Sequence, residues 1–385
     1  MEILAKQNKF MHFLHKIYAM LKRIFSNETF LYILKRVGRT FITLILLVIV
    51  VISLIRAIPD NQLYDISTYN RIAGQNINAA EAYKAKQLFK YGRYDLEGNP
   101  VPLVYTIGQY LYWMSPIPKK VPIAWDLNWD QPIEFWEGTI FLGISMDTYQ
   151  PVGEVLRERI GISMLISLTS VVFIYLLSYP LGVAMSKKPG GTVDKIGSIF
   201  IVLNYAIPAL VFFLLMNNIL GRPDGPFGWA NFSYFYQEGK PLTLVPAIFS
   251  IVFLSIPGTS LWVRRFMVDE LSSDYVRFAR SKGLSENTIL YTHVLKNAMI
   301  PLIRNIPAVF IGSIIGSYFV EMIWSIPGTG NLMISALRAQ RPNVPIIQGL
   351  TVIYSLLSMT SFLLGDIVTA LYDPRVKLVR KKGDF

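Results

Sequence analysis

Cysteine is absent from all 385 residues, which excludes disulfides, thiolate-bound zinc and a thiol nucleophile. Histidine is nearly absent: His12, His15 and His293 are the only three, which leaves little for a histidine-built metal centre. No G-x-x-x-x-G-K-[ST] phosphate loop occurs, so the chain does not cradle ATP by that route. Charge is scarce as well, at 16% of residues against about 25% in a typical soluble domain. A soluble protein of this length needs more polar surface than that.

Apolar residues make up 52% of the chain, and its mean hydropathy is +0.41. A hydrocarbon core of about 30 Å is crossed by roughly 20 apolar residues as helix. Six stretches qualify, at about 41–58, 161–185, 196–220, 243–266, 301–323 and 346–371. The expected fold is therefore an all-α polytopic membrane protein with six transmembrane helices. Pro180, Pro208, Pro246 and Pro257 fall within these runs. Proline is tolerated there where neighbours or a cavity satisfy the freed carbonyls, and several in one bundle point to helices bent around a pathway.

The distribution of lysine and arginine sets an expected orientation. Residues 1–40, 186–195, 267–300 and 372–385 together hold 20 basic and 9 acidic residues. The opposite side, 59–160, 221–242 and 324–345, holds 13 basic and 14 acidic ones. The first set is expected in the cytoplasm, with both termini, and the net charge of +12 then reflects membrane topology, not nucleic-acid binding. Ahead of the first span, Phe10, Phe13, Leu14, Ile17, Met20, Leu21, Ile24 and Phe25 recur at helical spacing opposite His12, His15, Lys16, Lys22 and Arg23. That pattern fits a helix lying in the membrane interface.

Five regions result: a cytoplasmic N-terminus with the interfacial helix (1–40), a first span (41–58), an external loop domain (59–160), a core of five spans (161–371) and a cytoplasmic tail (372–385). Trp113, Trp125, Trp129 and Trp136 are four of the seven tryptophans and all lie in 59–160, too aromatic a composition for disorder. There "EAYKAKQLFKYG" (81–92) reads as a helix closed by Gly92.

Within 267–300 lies "YVRFARSKGLSENTILYTHVLKNAMIPL" (275–302). Ser273 or Asp274 caps a short helix, Gly283 supplies a left-handed stop, and Ser285 caps a second helix through about Ala298. Pro301 is expected to open the next span. Such a segment is too basic to insert and too regular for a tether, so it reads as a rigid hairpin.

At these residues the chain resembles a known family. "DYVRFARSKGLS", the later "VEMIWSIPGTGNL" and the closing "LYDPRVKL" are similar to the membrane subunits of binding-protein-dependent ABC importers for peptides and nickel. The first, B-type permease of oligopeptide and dipeptide systems is the nearest pattern. "FLGISMDTYQPVGEVLRERI" (141–160) and "SYPLGVAMSKKPGGTVDK" (178–195) fit as well, and the resemblance covers 30–60 and 138–380.

The resemblance implies the type I ABC importer fold and a bacterial plasma-membrane location. It makes 274–300 the coupling loop, whose short helix docks on a cytoplasmic ATPase, with Asp274, Tyr275, Arg277, Phe278, Ala279, Arg280, Lys282, Gly283, Leu284 and Ser285 as coupling residues. Arg277, Phe278 and Ala279 stand where the generic motif has Glu-Ala-Ala, and only Ala279 keeps its identity. The implied partners are two ATPase subunits carrying ATP and magnesium, a homologous second permease and an external peptide-binding lipoprotein. The chain itself is then a transport subunit, not an enzyme, with no cofactor of its own. Peptide is the implied cargo; nickel chelates and other small solutes remain open.

Ionisable residues inside spans are candidate functional groups, and here they are Arg56, Glu321 and Asp366, with Arg264, Arg265 and Arg304 near span ends. Candidate pathway or gate residues are Glu321, Trp324, Pro327, Gly328, Gly330 and Asp366, since "WSIPGTGNL" is able to dip into the external mouth. A stand-alone secondary transporter predicts paired inverted repeats, and a membrane-embedded enzyme predicts clustered ligands or a nucleophile with its base. Neither pattern stands out, and both remain as weaker alternatives.

Overall fold

Uninterrupted runs of Leu, Ile, Val and Phe leave the backbone no partner but itself in hydrocarbon, so they form helices. The computed structural model describes residues 27–372, apart from 90, 96–98, 124–133, 149, 231 and 340. The amphipathic pattern at 10–25, Trp125, Trp129 and the tail beyond 372 lie outside the described residues. Five described helical segments are long and apolar enough to cross a membrane, or six if one bent pair is a single span.

Helix α1 (Asn27–Arg56) carries the first apolar run and stops before Pro59. After the 59–160 segment, α5 (Val152–Ser186) runs 35 residues, straight through Pro180. At 1.5 Å per residue it is roughly 50 Å long, well beyond a hydrocarbon core. The third expected span, 196–220, is two helices, α6 (Thr192–Ala206) and α7 (Ala209–Gly221), which meet at 96°. Pro208 has no N–H to continue the ladder and pushes Ile207 into extended backbone, φ −90° and ψ 120°.

Helix α8 (Val245–Leu271) contains Pro257 without breaking. Helix α10 (Leu295–Gly316) contains Pro301 and Pro307. Pro301 thus lies inside a helix and does not open one, a correction to the sequence expectation. Two further helices, α11 (Tyr318–Ile323) and α12 (Thr329–Arg338), flank the loop at 324–328. The last apolar run is α13 (Val344–Tyr372).

The chain divides into two compact units. One comprises Leu44–Arg264 and Val309–Ser358; the other comprises the chain up to Thr43, Arg265–Ala308 and the chain from Met359. The larger unit is built on a core in which Ile166, Ile174, Phe212, Phe213, Val320 and Trp324 pack together. Small residues line the buried face of α5: Ser163, Ser167, Ser170, Ser178, Gly182 and Ser186. They admit α8 so closely that a Cβ at Gly182 would stand 2.7 Å from the Ser260 carbonyl oxygen. Ser260 Oγ also donates to the Ser178 carbonyl at 3.2 Å. Small-residue contacts of this kind let membrane helices pack without large side chains between them.

The described residues of 59–160 include several helices. They contain α2 (Ile66–Ala73), α3 (Ile77–Phe89) and α4 (Leu103–Met114), and Gly92 takes φ +65° just after the α3 end. The one departure from an all-helical fold among the described residues is an antiparallel pair, β1 (Lys119–Ile123) and β2 (Glu134–Gly138), with Val121 opposite Trp136. Arg93, only 6% exposed, ties this segment to the end of α1. Its guanidinium donates to the carbonyls of Ile55 at 3.0 Å, Arg56 at 3.1 Å and Ile58 at 2.5 Å and pairs with Asp60. The first two of these carbonyls belong to the last turn of α1, where positive charge is favoured. Arg56 in turn donates to Val101 O at 2.6 Å, so it anchors this segment.

Candidate functional site

In the smaller unit, α9 (Asp274–Ser281) turns Val276 and Ala279 inward. Asp274, Arg277, Phe278, Arg280 and Lys282 are exposed and Tyr275 is half-buried. Ser273 sits at the N-cap in extended backbone without a side-chain cap bond. The helix ends in a Schellman motif. Leu284 N–H donates to Ala279 O at 3.3 Å and Gly283 N–H to Arg280 O at 2.9 Å, and Gly283 takes φ +77°. Glycine is the residue that adopts this conformation without steric cost.

Ser285, exposed with Leu284, then caps the next helix, its Oγ accepting from Thr288 N–H at 3.3 Å. Arg280 bridges the two arms, with Nε at 2.8 Å and Nη2 at 3.1 Å from the Glu286 carboxylate. From Glu286 the chain is helical without a gap: three α residues, a π-turn over Ile289–Val294, then α10. The hairpin is therefore a rigid extension of α10. Phe278, 61% exposed, and the Lys282 ammonium over its ring at 4.4 Å present an apolar and basic tip.

Asp366, also in this unit, receives Arg304 Nη2 at 3.1 Å and pairs with Arg36. A Cβ at the adjacent Gly365 would lie 2.7 Å from the Arg304 carbonyl oxygen. One carboxylate thus links α1, α10 and α13 where they pass closely.

Glu321, in the larger unit, is fully buried. Its Oε2 accepts from Gly330 N–H at 2.7 Å and Asn331 N–H at 3.1 Å, and its Oε1 accepts from Ser317 Oγ at 2.7 Å. The carboxylate takes the place of an N-cap side chain for α12, whose own N-cap, Gly328, has none. A Cβ at Gly328 would overlap Glu321 Oε2, and one at Gly330 would lie 2.7 Å from Tyr318 Cα. Trp324 is fully buried in the core and Pro327 half-buried. The loop between α11 and α12 folds back through a second Schellman turn: Ile326 N–H donates to Glu321 O at 2.7 Å and Ser325 N–H to Met322 O at 3.2 Å. Its left-handed position is held by Ser325, φ 49°. Glu321, Trp324, Gly328 and Gly330 therefore meet around one loop, and Asp366 belongs to the other unit.

Some structural anchors went unread in the sequence. Arg264, near a span end, grips Asp194 through two nitrogens of its guanidinium, at 2.5 and 2.7 Å. Asp194, an acidic residue in the first turn of α6, also accepts from Gly190 N–H at 2.8 Å. Asn343 joins Ser145 and Asp147 by its side-chain amide, at 3.2 and 2.8 Å. No group of three or more His, Asp or Glu placed to hold a metal occurs among the described residues.

Residues 178–378, which contain the hairpin, the Glu321 loop and Asp366, match the family described as "Binding-protein-dependent transport system inner membrane component". The chain belongs to that family. Among relatives of this transport component, the oligopeptide transport system permease protein AmiC of Streptococcus pneumoniae is 36% identical over 229 residues, 57% of this chain and 43% of AmiC. The dipeptide transport system permease protein DppB of Lactococcus lactis is 32% identical over 234 residues, 60% of this chain and 74% of DppB. The chain thus spans less than half the length of the pneumococcal protein. Among solved structures, the inward-facing MetNI methionine ABC transporter matches with a TM-score of 0.46 at 17% identity, over 57% of this chain and 97% of that one.

Proposed function

We propose that this chain is a membrane permease subunit of an ATP-driven ABC importer for oligopeptides or dipeptides in the bacterial plasma membrane. It forms half of the translocation pathway, the other half being a homologous second permease. The observation that carries this reading is the hairpin 274–294, locked at Gly283 and continuous with α10, inside the segment matching the transport family. A rigid lever of this kind passes displacement of its tip directly into a membrane helix.

Two cytoplasmic ATPases supply that displacement by binding and hydrolysing ATP with magnesium; this chain contributes no catalytic group or cofactor. Phe278, Arg277 and Lys282 form the docking tip, and Gly283 and the Arg280–Glu286 pair keep the angle. Closure of the ATPases biases the bundle between inward- and outward-open states through the differential contacts they make with the tip. Peptide reaches the pathway from an external binding lipoprotein. The loop at 324–328, clamped by Glu321, then acts as an ordered rim of the external mouth beside Trp324 and Pro327.

The excess of basic residues in the segments flanking the hairpin places it, with both termini, in the cytoplasm. Peptide is the cargo in this reading because AmiC and DppB are named for oligopeptide and dipeptide transport. Purification from native membranes in mild detergent tests the assembly: two ATPase chains co-purify and ATP hydrolysis is measurable. A lone homo-oligomer, with peptide uptake unchanged when the gene is deleted, refutes the reading.

A further inference from the structure

The larger unit contains a cavity of about 390 Å³ between the 59–160 segment and the start of α13. That volume lies in the range of small-molecule sites. Seven of its sixteen lining residues are aromatic. Its floor is apolar and buried, made by Tyr91, Tyr110, Phe141, Ile144 and Val344. Trp113 meets Phe141 edge to face, with ring centroids 5.1 Å apart, which fixes one wall.

Apart from Asp95, the polar side chains lining this space are uncharged: two amides, the Thr106 hydroxyl and tyrosines. Gln109 and Gln348 line it, and their side-chain amides make no hydrogen bond among the described residues. Tyr110 contributes its ring, its hydroxyl oxygen being sealed from the space. The one lining carboxylate, Asp95, is occupied by Asn99, whose backbone N–H donates to it at 2.8 Å. Nothing here suits a phosphate, which needs cations, since no Lys or Arg lines the space.

We propose that this cavity binds a short peptide segment through an apolar or aromatic side chain. The ring-lined floor takes the side chain, and the Gln109 and Gln348 amides bond the flanking peptide groups. Side-chain burial against rings supplies affinity and two adaptable amides tolerate varied sequence, which is the chemistry of a receiving station for mixed peptides. This inference deepens the peptide-import reading and rests on it for the source of the ligand.

The test is equilibrium binding of Ala-Phe-Ala, against Gly-Gly-Gly and maltose, to the full-length chain in nanodiscs by calorimetry. Gln109 is half-buried and engages no neighbour, so Gln109→Trp fills the cavity without removing a structural contact. Ala-Phe-Ala is expected to bind saturably, Gly-Gly-Gly at least ten-fold more weakly, and Gln109→Trp to lose at least ten-fold for Ala-Phe-Ala. Gln348→Ala, which enlarges the space, is expected to lose two- to five-fold and controls for misfolding. Equal binding by Gln109→Trp, no binding of Ala-Phe-Ala, or preference for maltose overturns the proposal. Uptake of labelled peptide by cells separates the two readings: intact uptake with an empty cavity sinks only the cavity, whereas absent uptake sinks the import function.

Discussion

Replacing Glu321 by alanine strips the cap from α12 at a site sealed from solvent. Two backbone N–H groups, of Gly330 and Asn331, lose their acceptor, while Ser317 Oγ keeps the Ile314 carbonyl, 2.8 Å away, as its acceptor. Each buried donor left unsatisfied costs about 1–3 kcal/mol, so the two amides alone account for roughly 2–6 kcal/mol. Glu321→Gln keeps one oxygen able to accept and is expected to lose less than half as much. Gly328→Ala attacks the same point from the other side, because its new Cβ overlaps Glu321 Oε2; overpacking of this kind costs about 1–3 kcal/mol. Removing the carboxylate relieves part of that overlap, the rest being with Ser163 Oγ at 2.5 Å, so the double variant is destabilised by less than the sum of the two singles, with a coupling of about 0.5–3 kcal/mol. Thermal unfolding of the detergent-solubilised protein, followed by tryptophan fluorescence or monodisperse elution after heating, reads all four. Strict additivity, or a Glu321→Ala Tm indistinguishable from that of the parent, refutes the capping role.

Three shorter predictions follow from other residues. Ser325→Gly relieves a left-handed serine at φ 49° and is expected to stabilise by about 1 kcal/mol, seen as a raised Tm. Asp65 accepts from Ser67 N–H at 2.9 Å and from the hydroxyls of Ser67 and Thr68 at the start of α2, bonds that hold its carboxyl down to about 2. Its folded-state value is depressed from the ordinary aspartate value near about 4, so its support is present above about 4 and is lost as pH falls towards about 2. Asp65→Ala should therefore lower Tm at neutral pH, with the difference from the parent vanishing near the lower value. Gln109→Trp should weaken Ala-Phe-Ala binding at the aromatic cavity at least ten-fold.

Length and hydrophobicity made the spans legible, because a hydrocarbon solvent permits few alternatives for a run such as 41–58. Proline proved ambiguous. Pro208 breaks its run by 96° while Pro180, Pro257 and Pro301 sit inside continuous helices, and only packing around each decides. The turn at Gly283 was readable because glycine advertises a left-handed residue; the equivalent turn at Ser325 was not, since serine carries no such signal. Strands β1 and β2 bracket residues 124–133 and lacked a tight-turn signature between them. Glu321 was visible as an intramembrane carboxylate, but its role as a cap needed the fold, which brings Gly330 N–H to it across nine residues. Arg93 offered no hint at all, since its carbonyl partners end a helix about 35 residues earlier.

The central claim is that the Gly283 hairpin carries force from ATPase partners into the membrane bundle. Proline at 283 cannot take φ +77° and lacks the N–H that closes onto Arg280 O, whereas asparagine tolerates the left-handed region. ATP-dependent uptake of radiolabelled peptide should therefore be lost in Gly283→Pro and largely kept in Gly283→Asn, with both variants inserted at parental levels. Normal uptake by Gly283→Pro would contradict the account.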